Sequence, residues 1–150
     1  VHLILEAFVN ANMNLIFVGN WQASDYGCEL IDRYSSIANM KLLDPIYDLD
    51  VLAMYRRNWR IYIHGHSAGG TNPSLVEMMH FEKPIIAFDC VYNRATMEDK
   101  GQYFSSSSSL SKSIKTPECF EGGEELGDIA RRRYTWNVVR DHYWKLFKSK

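Results

Sequence analysis

RIYIHGHSAGGTNPSLVE, residues 60–77, is the stretch that decides the fold. Its first part, RIYIH, is a short run of apolar and β-branched residues, which predicts a buried strand ending at His64. The glycines, Asn72 and Pro73 predict an irregular turn, and SLVEMMHFE then has the apolar spacing of a helix. A strand, a turn and a helix in this order make one βα unit.

The same unit recurs along the chain. The strand centres are apolar on both faces, which is typical of a parallel sheet covered by helices. Only about four such units fit, too few for a closed barrel. We therefore predict an α/β fold, a Rossmann-like doubly wound parallel sheet with helices on both faces. The predicted strands are 14–19, 40–43, 60–64, 83–89 and 101–104, and the predicted helices are 1–11, one capped by Ser24, one capped by Asp48 and one capped by Asn72.

The C-terminal part of the chain has a different pattern. Five serines at 105–109 predict a loop with a helix cap at its end. Residues 121–150 predict one or two helices. Four apolar residues recur there at helical spacing, and we expect them to dock on this domain or on a neighbouring one. They are Trp136, Val139, Tyr143 and Phe147.

Composition and charge limit the classes of function. A formal net charge of −1 indicates neither a nucleic-acid nor a membrane-surface footprint. No apolar run reaches the roughly 20 residues of a membrane span. Three widely separated cysteines predict neither a disulfide framework nor a zinc site, so we expect a reducing cytoplasm. The 150 residues fit one domain, 1–150, and without an initiator Met or a signal peptide we expect a piece of a longer protein.

Residues 65–69, GHSAG, match the nucleophile elbow of serine hydrolases, with Ser67 as the nucleophile. Asp89 and His142 follow in the chain order that such a triad requires. Two features argue against this interpretation. Pro73 keeps the chain irregular where an elbow serine would be followed at once by helix. Asp89 also ends the very next strand, which is too early for the acid of that fold, so the hydrolase is our least favoured hypothesis.

The same residues fit a phosphate-binding loop. Gly69 and Gly70 would let the backbone approach a ligand closely and take positive φ. Asn72 is expected to cap the next helix, leaving N–H groups near Ser74 directed at an anion. Glu77, one turn further, would accept hydrogen bonds from ribose hydroxyls. A structural turn with a capped helix and a solvated glutamate explains the pattern equally well, and local spacing leaves both interpretations open.

Two further motifs imitate metal sites. Asp48-Leu49-Asp50 has the D-x-D pattern, but an N-cap at Asp48 and a first-turn acid at Asp50 account for it. His64 and His66 lie two residues apart at a strand end, without a third ligand nearby in sequence. We therefore predict no metal site, and we expect His66 to be a polar group lining the cleft.

Five segments share one likeness: NLIFVGNW (14–21), LLDPIYDLDVL (42–52), IYIHGHSAGGTNPSLVEMM (61–79), KPIIAFD (83–89) and YTW (134–136). Together they resemble the C-terminal, donor-binding half of retaining glycosyltransferases of the GT-B fold. The closest likeness is to bacterial enzymes that add rhamnose or related sugars to surface polysaccharides. It runs through nearly the whole chain, and HGHSAGGTNPSLVE is its most specific part.

This resemblance implies roles for particular residues. The loop from Gly69 to Ser74 would hold the diphosphate of a sugar donor linked to dTDP, UDP or GDP, and Glu77 would bind its ribose. The turn at 45–47 would touch the base, mostly through main-chain atoms. The terminal helix would help to join the two halves of the enzyme. Besides Glu77, the implied donor-binding residues are His66, Gly69, Gly70, Thr71, Asn72, Ser74, Pro45, Ile46 and Tyr47.

The sequence also departs from the family's pattern. Many relatives have a glutamate that contacts the sugar or its phosphate where this chain has Gly69, so sugar recognition would use His66 or backbone amides. The strand carrying the basic residues that neutralise the leaving diphosphate, and the acceptor domain, would precede Val1. We therefore expect this fragment to bind a nucleotide weakly and not to turn over alone.

By the same resemblance, the reaction is transfer of a hexose or deoxyhexose from the donor to a glycan or lipid-linked acceptor, with no metal or other cofactor. It implies a bacterial, cytoplasmic enzyme of polysaccharide biosynthesis, with the full-length protein at the inner face of the cell membrane. Because Gly69 replaces a residue tied to sugar handling, a non-catalytic α/β nucleotide-binding module is the second hypothesis.

Overall fold

The computed structural model describes residues 1–148, except for the side chains of residues 117 and 119. The last two residues of the predicted helical segment 121–150 and the side chain of Cys119 therefore lie outside the described residues. The helices are α1 (His2–Ala11), α2 (Asp25–Tyr34), α3 (Leu49–Asn58), α4 (Pro73–Met79), α5 (Val91–Met97), α6 (Ser107–Ser113), α7 (Gly123–Arg133) and α8 (Trp136–Lys148). The strands are β1 (Leu15–Val18), β2 (Met40–Leu43), β3 (Tyr62–His64), β4 (Ile85–Phe88) and β5 (Gln102–Phe104).

The chain divides into two compact units. The first unit comprises residues 1–58 and 104–116, and the second unit comprises residues 59–103 and 117–150. In the first unit β1 and β2 pair in parallel, with Leu15 opposite Met40 and Val18 opposite Leu43. Helix α1 packs against α6 there. Leu5 and Phe8 are buried on the apolar face of α1, and Leu110 is the buried residue of α6.

The second unit holds the sheet β3–β4–β5, in which β3 and β4 pair in parallel. Strand β4 is buried at three of its four positions, as its apolar sequence IIAF predicts. Helices α4 and α7 pack against each other. Leu75 and Met79 from α4 and Leu126 and Ile129 from α7 enter the same hydrophobic core. This core fixes the position of α4, and therefore of the loop that precedes it.

Helices α2 and α3 begin at the side-chain caps that the sequence predicts. The Ser24 side chain accepts a hydrogen bond from the N–H of Gly27 at 3.1 Å. Asp48 Oδ1 accepts from the N–H groups of Asp50 and Val51 at 2.9 and 3.0 Å. These bonds satisfy N–H groups that have no partner inside the helix. The predicted Rossmann-like α/β class, with parallel strands flanked by helices, is confirmed.

After β4 the structure differs from the prediction for the serine run and contains one helix that was not predicted. The serine run is not a loop throughout, because α6 begins at Ser107, with Ser106 as its N-cap in a reciprocal capping box with Ser109. Helix α5 was not predicted. None of the residues of α8 is buried, and Trp136, Tyr143 and Phe147 are 88%, 63% and 75% exposed. Val139 is partly buried, so the predicted docking of α8, on this domain or on a neighbouring one, stays a prediction.

In the part of the chain that the structure describes, no helix has both the length and the apolar character that crossing a bilayer requires.

Candidate functional site

The candidate site is the β3–α4 loop, residues 65–72, which leaves the carboxyl end of a parallel strand. The chain is irregular from Gly65 to Asn72, and the helix begins at Pro73, as predicted. Asn72 caps α4, because its Oδ1 accepts the N–H of Ser74 at 2.9 Å. Loops at the carboxyl ends of parallel strands are where α/β proteins bind their ligands.

The two glycines of the loop differ from each other. Gly69 has a φ of +94°, which disfavours any residue with a side chain. Gly70 does not have the positive φ that the sequence predicts, so that part of the prediction is wrong. A Cβ built on either glycine would meet no protein atom within 4 Å. The packing of the loop therefore does not require glycine at either position. Because both residues lack a side chain, open space remains beside the backbone.

Three successive amides of the loop have no hydrogen-bond partner in the part of the protein that the structure describes. Among the described residues, the N–H groups of Gly69, Gly70 and Thr71 donate no hydrogen bond to the protein. By contrast, the N–H of Ser74 is occupied by the Asn72 cap, so the expectation that this amide would be available to an anion is wrong. Successive unpaired amides in an irregular turn form a concave site with partial positive charge. Among the described residues, this run of unpaired amides lies in the loop and not at the N–H of Ser74.

Glu77 is exposed on α4, three residues beyond Ser74. Residues three apart share a face of a helix, so Glu77 lies on the side of α4 that carries Ser74. Leu75, Met78 and Met79 face the core instead. Glu77 therefore lies about one helical turn beyond the loop, on the face of α4 that carries Ser74.

His64 closes β3 beneath the loop. It is 1% exposed, its Nδ1 lies 3.3 Å from the Tyr62 hydroxyl, and its ring stacks on that of His66 with centroids 4.9 Å apart. Burial, with a smaller contribution from the charge of His66, lowers the pKa of His64 from 6.5 to about 4. His64 is therefore neutral at physiological pH. His66 is exposed, and the stack orients its ring above the strand end.

Sequence reasoning missed Asn93, because α5 itself was not predicted. Asn93 is 3% exposed, and its Nδ2 donates to the carbonyl oxygens of His66 at 2.9 Å and of Phe88 at 2.8 Å. It therefore links the start of the loop to the end of β4. The available signal was the helical spacing of Asn93, Thr96 and Met97, the buried residues of α5, but two of these three are polar.

The side chains of the hydrolase hypothesis are not assembled as a triad. The Asp89 carboxylate pairs with the Arg94 guanidinium through two hydrogen bonds, of 2.6 and 3.0 Å. This pairing holds the pKa of Asp89 below its ordinary value. Ser67 is followed by irregular chain as far as Pro73, whereas an elbow serine leads directly into helix. The geometry therefore argues against Ser67 as a nucleophile.

The remaining predicted positions lie in the first unit. Pro45, Ile46 and Tyr47 form irregular chain between β2 and α3, and the Tyr47 side chain is 85% exposed. Asp48 acts as the N-cap of α3, as predicted. Among the described residues, no three His, Cys, Asp or Glu side chains cluster closely enough to hold a metal ion.

A surface cavity of about 520 Å³ lies elsewhere on the second unit. Four glutamates line it, namely Glu82, Glu121, Glu124 and Glu125. Glu82 is paired with Arg131 and Glu125 with Lys100, and the described lining of the cavity includes no basic residue that could hold a diphosphate.

No protein-family model matches the chain, and no curated protein does either. Solved structures match closely in shape. HepE from Anabaena, in complex with UDP, aligns with 99% of this chain at a TM-score of 0.79 and 20% identity. A glycosyltransferase from Rickettsia africae aligns with 98% of it at 0.74 and 14% identity. Sucrose-phosphate synthase from Thermosynechococcus elongatus aligns with 98% of it at 0.71 and 18% identity.

The chain has the Rossmann-like fold of one half of a GT-B glycosyltransferase. It spans 45% of the HepE chain and 43% of each of the other two. At these identities the likeness establishes the fold, and the ligands of these proteins remain properties of those proteins.

Proposed function

We propose that this chain is the donor-binding domain of a glycosyltransferase, which holds a nucleotide-diphosphate sugar in the β3–α4 loop. The observation that carries the proposal is the run of unpaired amides at Gly69, Gly70 and Thr71, in a loop after β3 whose two glycines border open space. Backbone amides in this arrangement suit the oxygens of a diphosphate. The GT-B-type fold supports the same placement.

Transfer of the sugar breaks its bond to the diphosphate and leaves negative charge on the departing group. Oriented amides stabilise such charge without reorganising during the reaction. Glu77 would accept hydrogen bonds from the ribose hydroxyls. His66 would contact the sugar or its phosphate, the role that the resemblance gives to a glutamate at the position of Gly69. Asn72 and Ser74 shape the end of the loop through their mutual hydrogen bond. The exposed turn of Pro45, Ile46 and Tyr47 would contact the base.

The proposed donor is a UDP-, dTDP- or GDP-linked hexose or deoxyhexose, and the acceptor is a glycan or a lipid-linked sugar. HepE has been solved with UDP, with UDP-glucose and with UDP plus glucose, and pneumococcal GtfA with UDP and GlcNAc, which favours donors of this chemical class. The sequence resemblance favours a retaining, rhamnosyltransferase-like enzyme of bacterial surface polysaccharide synthesis that needs no metal or other cofactor.

We propose that the acceptor is bound by a second domain, because this chain matches less than half of each compared glycosyltransferase. Helix α8 would join the two halves, with the exposed side chains of Trp136, Tyr143 and Phe147 at the junction. The free cysteines Cys28 and Cys90 fit a reducing cytoplasm, and lipid-linked acceptors would place the full-length enzyme at the inner face of the membrane.

A non-catalytic nucleotide-binding module is the second candidate. The observation that favours it is the empty space at Gly69, where many relatives have a side chain that contacts the sugar. Such a module would bind a bare nucleoside diphosphate at least as tightly as any sugar derivative of it.

Isothermal titration calorimetry with UDP, dTDP, GDP and their sugar derivatives separates these candidates. The donor-domain proposal predicts that one nucleotide sugar binds more tightly than its bare nucleotide. Equal or weaker binding of every sugar derivative favours the module, and no binding of any nucleotide contradicts both. Sugar transfer by this chain alone is expected to be absent, and robust transfer would contradict the proposed need for an acceptor domain.

A further inference from the structure

Asn93 is a polar side chain in the interior of the second unit, on the face of α5 that also carries Met97. At 3% exposure it has left water almost completely, so its amide hydrogens need partners inside the protein. Both partners are carbonyl oxygens, those of His66 and Phe88. Only the NH₂ group can donate to a carbonyl, so these two contacts fix the orientation of the amide.

The two carbonyls lie just after His64, where β3 ends, and at Phe88, where β4 ends. The sheet does not pair the His66 carbonyl, because the ladder of β3 and β4 stops at His64 opposite Ala87. Beyond that point the side chain of Asn93 links the two chain segments, because it donates to the carbonyl oxygens of both His66 and Phe88. The thiol of Cys90, at the N-cap of α5, lies 3.9 Å from the same His66 oxygen.

The ring of His66 is constrained independently. It stacks on the buried ring of His64 with an interplanar angle of 23°. The backbone of His66 is therefore held from α5 and its side chain from β3. After His66 the chain runs to Gly69 without another described hydrogen bond to the protein, so the position of His66 sets where the glycines begin.

We infer that Asn93 is a positioning residue for the donor site: by holding the His66 carbonyl against the end of β4, it orders the loop that binds the diphosphate. This inference rests on the proposed function, and it adds to the site a residue that touches no ligand. Its physical basis is preorganisation, because a loop fixed before binding loses less conformational entropy when the ligand arrives.

A matched pair of substitutions on α5 tests the inference. Asn93→Ala removes both hydrogen bonds to the carbonyls. Thr96→Val is the control, because Thr96 is 1% exposed on the same helix and its hydroxyl donates to the Tyr92 carbonyl at 2.8 Å, within α5 itself. Both changes remove a buried hydrogen bond, but only the first one releases the loop. Should Asn93→Ala not fold, Asn93→Ser keeps one donor and serves as the milder variant.

Two readouts are needed, with UDP, dTDP and GDP as the probes. The backbone ¹⁵N order parameters of residues 65–70 in the ligand-free protein are expected to fall in the Asn93 variant and to stay unchanged in Thr96→Val. The affinity for the best of the three probes is expected to fall about tenfold in the Asn93 variant only, as the loss of one ordering contact implies. Asn93→Ala is expected to lose more thermal stability than Thr96→Val, because it removes two hydrogen bonds and leaves a small cavity, so the loop and affinity readouts decide the inference.

Wild-type affinity or unchanged order parameters of the loop in a folded Asn93 variant overturn the inference, as does an equal loss of affinity in Thr96→Val. Failure of the proposed function gives a different result, because the wild-type protein itself then binds none of the probes. In that event the order parameters of residues 65–70 still decide whether Asn93 orders the loop.

Discussion

The rings of His64 and His66 stack 4.9 Å apart at the end of β3, one buried and the other exposed. The buried ring is neutral at physiological pH, because desolvation lowers the pKa of His64 to about 4. The exposed ring of His66 therefore stacks on an uncharged ring. This pair connects the core of the second unit to the loop that we propose holds the donor.

The lowered pKa of His64 predicts a loss of stability in mild acid. The unfolded chain takes up this proton near pH 6.5 and the folded chain only near pH 4, so the unfolded state binds more protons in between. The stabilisation is complete above pH 6.5 and is lost as the pH falls towards 4. Urea unfolding should show a loss of about 2 kcal/mol between roughly pH 7.5 and pH 5 from this residue.

His64→Phe is expected to remove that part of the pH dependence, whereas His142→Gln, at an exposed position of α8, should retain it. The comparison is needed because paired carboxylates such as Glu98, whose pKa is also lowered, add losses at lower pH. An unchanged slope in His64→Phe would show that His64 is not held neutral in the folded protein.

Glu77→Ala is expected to weaken donor binding roughly tenfold in a protein that still folds, because two lost hydrogen bonds to ribose are worth about that much. Glu124→Ala is the control, since it removes an equal charge from the first turn of α7. Calorimetric titration with UDP and UDP-glucose measures both. Equal affinities in wild type and Glu77→Ala would remove Glu77 from the site.

Substitution by alanine is expected to affect different properties at the two loop glycines, stability at Gly69 and ligand affinity at Gly70. Gly69→Ala should destabilise the fold by about 1 kcal/mol, because the residue has a φ of +94°. Gly70→Ala should leave stability unchanged, since its Cβ meets no atom within 4 Å, but it should reduce donor affinity by filling the ligand's space. Thermal melts and calorimetry on the two variants separate strain from obstruction. Normal affinity in Gly70→Ala would mean that the ligand does not approach this part of the loop.

The hydrolase hypothesis has a direct chemical test. A fluorophosphonate probe reacts with activated serines, and we expect it to leave this protein unlabelled because the Asp89 carboxylate is paired with Arg94. Labelling that disappears in Ser67→Ala but persists in Ser74→Ala would reverse this conclusion.

Much of the fold is predictable from local pattern. Strands such as β2 and β4 are short apolar runs, and the caps at Ser24, Asp48 and Asn72 follow from side chains that accept N–H bonds. Helix α5 escapes such reasoning, since its buried face carries Asn93 and Thr96, and apolar periodicity is absent. The serine run escapes it for another reason: Leu110 is fully buried, and tertiary packing holds a helix that serine propensity does not favour.

The candidate site is predictable only in part. The glycines and the Asn72 cap are visible in the sequence, as is the exposed Glu77. That the Asn72 cap uses the N–H of Ser74, and that the amides from Gly69 to Thr71 remain unpaired, are matters of geometry. The contact of Asn93 with His66 spans 27 residues and depends on how β3, β4 and α5 meet. No local pattern specifies such a contact.

The most direct test of the donor site is an amide NMR titration of this chain with UDP, dTDP, GDP and the corresponding nucleotide sugars. We predict shifts centred on residues 69–77, and larger for one nucleotide sugar than for its bare nucleotide. Shifts centred elsewhere, such as on the acidic cavity around Glu121, or the absence of any shift at Gly69 and Gly70, would contradict the account.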